Sequence, residues 1–146
     1  MKVYLAGPYQ WKNIIATYAA DLRKAGVTVT SRWLEEPHSP TTQCGDLPDA
    51  TFAKYAIQDL EDIDQAEILV LFAVPGTPIP RAGRHVEFGY ALAKNKKLVV
   101  VGNVKENIFH YLPGITPFAT WEETLQWFKE TLQWFKDLRD VERDIF

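Results

Sequence analysis

Ile68-Leu69-Val70-Leu71-Phe72-Ala73-Val74 is a run of seven apolar residues, bounded by Glu67 and Pro75. A strand with one wet face alternates apolar and polar residues. An unbroken run belongs to a strand buried on both faces, as at the centre of a parallel sheet. Both flanks read as helices. Upstream, Asp49 is the expected N-cap of a helix running to about Ala66. Downstream, a Pro/Gly loop over 75–83 leads to a helix over Arg84–Asn95 and a further strand, Lys97–Val101. Towards the N-terminus, Lys2-Val3-Tyr4-Leu5-Ala6 is a strand stopped by Gly7-Pro8. Asn13–Ala25 has helical periodicity, with Gly26 where a left-handed cap belongs, and Val27–Trp33 alternates as a strand. Towards the C-terminus the sequence predicts a short helical turn over Asn107–Tyr111 and a weak strand over Thr116–Ala119. Thr120-Trp121-Glu122-Glu123 is a capping box opening a long terminal helix from about residue 120.

Strands alternating with helices give an α/β fold, a flavodoxin/Rossmann-like sandwich with a parallel five-stranded sheet covered by helices on both faces. Ligands of such sheets bind beyond the carboxyl ends of the strands. That rim is built from residues 7–11, the long Pro/Ser/Thr/Gly loop 35–48 and the loop 75–84. The 146 residues suit a single domain, 1–146, and 47% hydrophobic content excludes a disordered chain. The longest apolar runs fall far short of the ~20 residues a membrane span needs. The first residues read straight into a strand rather than a secretory leader. A net charge of −3 argues against a nucleic-acid polymer as partner. Cys44 is the only cysteine and the three histidines share no ligand spacing, so neither a disulfide framework, a metal site nor a cofactor is expected. The expectation is a soluble, cytoplasmic protein.

Two carboxylates stand out. On the helix over 49–66 the inward stripe reads Phe52, Tyr55, Ala56, Asp59, Leu60, Ile63, Ala66, and Asp59 is its one acid. Glu61, Asp62 and Asp64 read as a solvated face. An unpaired buried carboxylate costs several kcal/mol or forces its pKa up, so Asp59 is either a partnered edge residue or part of a site. Glu87 lies in the first turns of the helix at the ligand rim. Gly89, inside the same helix at a cost of about 1 kcal/mol against Ala, suggests that something approaches the backbone there. Arg81 and Arg84 could hold a phosphate or carboxylate. Tyr9, Trp11 and Trp33 could stack on a flat ligand or belong to the core. No GxGxxG, Walker lysine motif or GxSxG elbow is present. Glu123–Lys129 is repeated identically as Glu130–Lys136, so that Trp121, Leu125, Phe128, Leu132 and Phe135 form a heptad-like seam, with Trp127 and Trp134 on a second edge. The seam suits packing on the chain's own sheet or a subunit interface.

Lys2-Val-Tyr-Leu-Ala-Gly-Pro-Tyr9, Gln58-Asp59-Leu60 and Gly83-x-x-x-Glu87-x-Gly-Tyr-Ala-Leu92 together resemble the nucleoside 2-deoxyribosyltransferase family and its relatives, the 2′-deoxynucleoside 5′-monophosphate N-glycosidases. The resemblance runs from Lys2 to about Trp121. It implies Glu87 as nucleophile, Asp59 as the acid assisting at sugar and base, and Tyr4 beside the nucleophile. Gly7, Tyr9, Trp11, Gly83 and Arg84 then fall at the substrate rim. It further implies a homo-oligomer in which Asn107 reaches a neighbour's sugar. The partners implied are a (deoxy)nucleoside or nucleotide and a free nucleobase. In one departure, Arg81 stands where the transferases carry a base-binding aspartate and the hydrolases a phosphate-binding serine. Arg81 leaves room for a 5′-phosphate, whereas Asn107 suits a 5′-hydroxyl. The implied chemistry is attack of ionised Glu87 on C1′, loss of a base protonated by Asp59, and collapse of the glycosyl-enzyme by a second base or by water. A catalytically silent nucleotide-binding module, or an assembly protein built on the terminal helix, are the rival readings.

Overall fold

The computed structural model describes residues 1–75 and 82–145. Among them, five parallel strands form one sheet: β1 (Lys2–Ala6), β2 (Thr28–Val29), β3 (Ile68–Phe72), β4 (Lys97–Val101) and β5 (Thr116–Phe118), in the order β2-β1-β3-β4-β5. Four helices cover it: α1 (Lys12–Lys24), α2 (Asp49–Gln65), α3 (Gly83–Ala93) and α4 (Trp121–Ile145). α1 packs with α4 and α2 packs with α3. Every residue of β3 is buried, as its unbroken apolar run requires. No helix among the described residues is long and apolar enough to cross a membrane. The chain winds outward from β1 to β2, then returns past β1 to β3. The connections leaving the carboxyl ends of β1 and β3 therefore run to opposite sides, and a crevice opens where they part.

The second strand is far shorter than the alternation over 27–33 predicts. Only Lys2–Thr28 and Val3–Val29 pair. Beyond them the Ser31 side chain takes over the ladder, its Oγ accepting from the Leu5 amide at 2.7 Å. The chain then tightens into a 3₁₀ turn over Arg32–Glu35. Asp62 holds that turn. Its carboxylate accepts from the Arg32 amide at 3.0 Å and from the Arg32 Nε at 2.8 Å. Asp62 is thus buried, not solvated as its place off the apolar stripe suggests, while Ala56 and Leu60 on that stripe are exposed. The pull of Arg32 from outside α2 explains the exchange, because a paired carboxylate can be buried where a bare one cannot.

Helix ends follow the sequence in part. Gly26 takes φ +95° after α1, a conformation that costs residues with a Cβ. Thr120 Oγ1 accepts from the Glu123 amide, and the Glu123 carboxylate reaches back to the Ala119 amide, one residue before the one a capping box uses. Asp49 is not the N-cap of α2 but its first residue; Pro48 holds the cap position and makes no side-chain cap bond. On α4, Trp121 and Phe128 are buried in the domain, and Trp121 Nε1 donates to Asp21 at 3.0 Å. Past Leu132 the repeat runs clear of the sheet, leaving Trp134, Phe135, Leu138, Val141 and Ile145 exposed.

Candidate active site

A cavity of about 450 Å³ opens at the crevice, within the range of small-molecule sites. Gly7 and Tyr9 come to it from the end of β1, and Gly83, Arg84 and Glu87 from the first turns of α3. From α2 come Phe52, Tyr55 and Asp59, the spacing of one helix face. The sequence-derived candidates Gly7, Tyr9, Asp59, Gly83, Arg84 and Glu87 therefore share one wall system. A Cβ on Gly7 would overlap the terminal methyl of Ile15, which would have to shift, and would stand 3.5 Å from Phe72, so the turn passes close under the cavity.

Tyr4 lies beneath them. It is wholly buried on β1, and its hydroxyl donates to Glu87 Oε2. Burial, with the Glu87 and Asp59 charges behind it, raises the Tyr4 pKa well above 10, so this hydroxyl stays a donor. The same dryness acts on the acids. Burial is the main cause pushing Glu87 up to about 8; the Asp59 charge adds to it and the Tyr4 hydrogen bond opposes it. Burial, then the Glu36 and Asp62 charges, push Asp59 up to about 7, against the pull of Arg32. Asp59 Oδ1 is buried without a hydrogen-bond partner among the described residues. The expectation that the helix N-terminus keeps Glu87 ionised is not met in the free protein: desolvation outweighs the dipole, which is worth only about 1 kcal/mol. Glu87 and Asp59 thus form a pair that sheds its protons over neutral to mildly alkaline pH.

Arg84, 4% exposed, donates to Glu106 Oε2 at 2.6 Å. Glu106 also accepts from the Val74 amide at 3.3 Å and has His85 Nε2 at 3.7 Å. It thereby ties the end of β3 to the start of α3, the turn that aims Glu87. Trp33, also on the wall, donates its Nε1 to the Leu5 carbonyl and sits 6.1 Å ring to ring from Tyr9.

Two candidates lie elsewhere. Trp11 packs against the core and does not line the cavity. Asn107 caps a 3₁₀ turn over Ile108–Tyr111, its Oδ1 accepting from the Phe109 amide at 2.9 Å and its Nδ2 3.3 Å from His85 Nδ1. Asn107 borders a separate depression with His85, Phe88, Gly89, Leu92 and Phe109. Outside its own helix, no described residue lies within 4 Å of a Cβ built on Gly89, so whatever the glycine makes room for is not another part of the described chain. Arg81 lies outside the described residues.

Several wall residues were not singled out from the sequence. Glu36, His38, Thr42, Cys44 and Leu47 all come from the loop 35–48. Lys12 anchors that loop: it is 6% exposed and its Nζ donates to the carbonyls of Glu36 and His38. His38 Nε2 bonds Tyr55 Oη at 2.6 Å, closing the loop onto α2. Loop length and composition were the only signals for this wall, since Glu35-Glu36-Pro37 reads as ordinary surface.

No protein-family model matches the chain, and no curated protein matches it. Solved structures do. It is similar to a CMP N-glycosidase, BcmB, from Clostridium botulinum, at 22% identity over 86% of this chain and 96% of that one, with a TM-score of 0.56. A 2-deoxyribosyltransferase from the psychrotolerant bacterium Bacillus psychrosaccharolyticus shares 23% identity over 86% and 90% of the two chains, TM-score 0.61. A conserved protein from Enterococcus faecalis V583 shares 16% over 90% and 98%, TM-score 0.60. This chain has the parallel α/β fold of these proteins.

Proposed function

We propose that the chain is an enzyme of the nucleoside 2-deoxyribosyltransferase family that cleaves the N-glycosidic bond of 2′-deoxyribonucleosides and passes the sugar to another nucleobase. The observation that carries this reading is the Tyr4–Glu87–Asp59 arrangement at the floor of the cavity. Retaining glycosyl chemistry needs one ionised carboxylate and one protonated one. The half-buried pair, raised to about 7 at Asp59 and about 8 at Glu87, holds a single proton between those values. It rests mainly on Glu87 in the free protein, and the reactive form is the one in which it has passed to Asp59. Glu87, relieved of its proton and steadied by the Tyr4 hydroxyl, attacks C1′. Asp59 gives its proton to the base as the C1′–N bond breaks. The developing positive charge on the sugar is stabilised by the carboxylate it approaches. A second base then attacks C1′ of the glutamyl ester, returns its proton to Asp59 and frees Glu87, so that two inversions leave the configuration retained.

A 2′-deoxynucleoside 5′-monophosphate N-glycosidase is the second reading, favoured by the likeness to the CMP N-glycosidase and by Arg81 in the sequence. Water would then take the sugar from Glu87. Exposed Val86, Ile108, Phe109 and Tyr111 flank the depression that Asn107 borders, and support docking of a second copy there. Product analysis tests the whole reading. Purified protein is given a deoxynucleoside with a foreign base, and in parallel the monophosphate alone. Formation of the new nucleoside is the expected result; free base released from the monophosphate alone would establish the hydrolase instead. No cleavage of either would refute both.

A further inference from the structure

We infer that Glu36 is a specificity-determining residue that selects nucleobases carrying an exocyclic amino group, such as cytosine and adenine, over their oxo counterparts. The inference rests on the glycosidic reading above, because it assigns the cavity to a sugar and its base. Glu87 and Tyr4 fix the sugar end at the mouth of β1 and α3. The remaining wall is aromatic, with Tyr9, Trp33, Phe52 and Tyr55 available to a flat ring. Glu36 is an acidic group of that wall, fixed in place. Its amide donates to the Trp33 carbonyl, its own carbonyl accepts from Lys12, and its carboxylate hydrogen-bonds the Tyr9 side chain. Pro37 follows, which confines Glu36 to the extended backbone it adopts, φ −62° and ψ 139°. A carboxylate so held is no flexible surface acid that could swing away from an unsuitable ligand.

An ionised carboxylate only accepts hydrogen bonds, and one from Tyr9 leaves most of its acceptor sites open. An exocyclic amino group offers two donors and matches it. A carbonyl at the same ring position sets lone pairs against lone pairs and leaves both groups unsatisfied in a confined site, which is where binding sites discriminate most strongly. The nearby cations do not offset this: Arg84 is engaged by Glu106, and Lys12 donates to two backbone carbonyls. A ring edge that reaches Glu36 is therefore favoured when it brings a donor.

The test compares pairs that differ only at that group: deoxycytidine with deoxyuridine, and deoxyadenosine with deoxyinosine. Wild-type kcat/KM should favour the amino member by about ten- to a hundredfold in each pair. Glu36→Gln presents a donor as well as an acceptor, so its ratios should collapse towards one through loss on the amino substrates. Calorimetric titration of wild-type protein with cytosine and with uracil reads the same preference without turnover. Ratios near one for the wild-type protein, or a preference that Glu36→Gln leaves intact, would overturn the role of Glu36. Failure of every nucleoside to react would instead overturn the glycosidic reading, and equal binding of cytosine and uracil would then overturn this inference too.

Discussion

Glu87→Gln should make the protein more stable at alkaline pH while abolishing its activity. The folded state holds the Glu87 carboxyl up to about 8, against 4.5 for an ordinary glutamate. A carboxyl whose pKa is raised by folding binds its proton more tightly in the native state. Its contribution is therefore fully present below about pH 4.5 and is lost as pH rises towards 8. A tenfold change in proton affinity is worth about 1.4 kcal/mol, which sets a ceiling of roughly 4–5 kcal/mol at pH 9. The cavity opens to solvent and can relax around the charge, which brings the expected gain on removing it to ~2 kcal/mol. Glutamine keeps an acceptor for the Tyr4 hydroxyl, so no buried donor is stranded. Urea unfolding followed by tryptophan fluorescence at pH 5, 7 and 9 reads the effect. At pH 9 the variant should gain ~2 kcal/mol, about 4–8 °C in Tm for a domain of this size; at pH 5 it should lie within about 1 kcal/mol of the parent. Parallel pH profiles for the two proteins would refute the argument, because Glu87 would then titrate as an ordinary exposed acid.

Other consequences follow from the same geometry. kcat/KM should be bell-shaped, with limbs near pH 7 and 8: below them both acids are protonated and the nucleophile is lost, above them Asp59 has no proton to give. Tyr4→Phe removes a hydrogen bond that lowers the Glu87 pKa, so the limb near pH 8 should move to higher pH and kcat should fall by about tenfold to a hundredfold; an unmoved limb would separate Tyr4 from the nucleophile. Asp59→Asn should fold normally, lose the alkaline limb and be slowest with bases that leave poorly; activity per folded molecule equal to the parent's would make Asp59 structural. Glu106→Ala should cost about 3 kcal/mol, because it leaves the buried Arg84 guanidinium without its carboxylate. Arg84→Met combined with Glu106→Leu should recover much of that loss in chemical denaturation, and a double variant as unstable as the single one would contradict the ion-pair account.

The sheet was legible because its signals are local. Ile68–Phe72 has no polar residue to place in water, so only a doubly covered strand suits it, and the order of strands and helices then follows from short right-handed connections. Asp59 was legible because a carboxylate on an apolar stripe needs a reason, and Glu87 because it falls at the rim. What failed was long-range. Asp62 is buried by Arg32, thirty residues earlier in the chain, and Ser31 ends the second strand by bonding β1 with its side chain. Neither contact leaves a periodic trace. Loop 35–48 was recognised as rim from its composition, yet its inward residues depend on Lys12 and Tyr55, which no spacing within the loop reveals. The charge state of Glu87 was misjudged for a related reason. Helix position is visible in the sequence, but the desolvation that outweighs it comes from elements distant in the chain, β1 and α2, packed against α3.

The claim on which the rest depends is that Glu87 bonds to the sugar. Protein mixed with a deoxynucleoside, quenched in acid during turnover and digested should yield the peptide carrying Glu87 with one deoxyribosyl group added, chased away when a second base is supplied before the quench. The Glu87→Gln protein should show no adduct and no turnover. Cleavage by the wild-type protein with the adduct on another residue, or cleavage undiminished in the Glu87→Gln protein, would contradict the account.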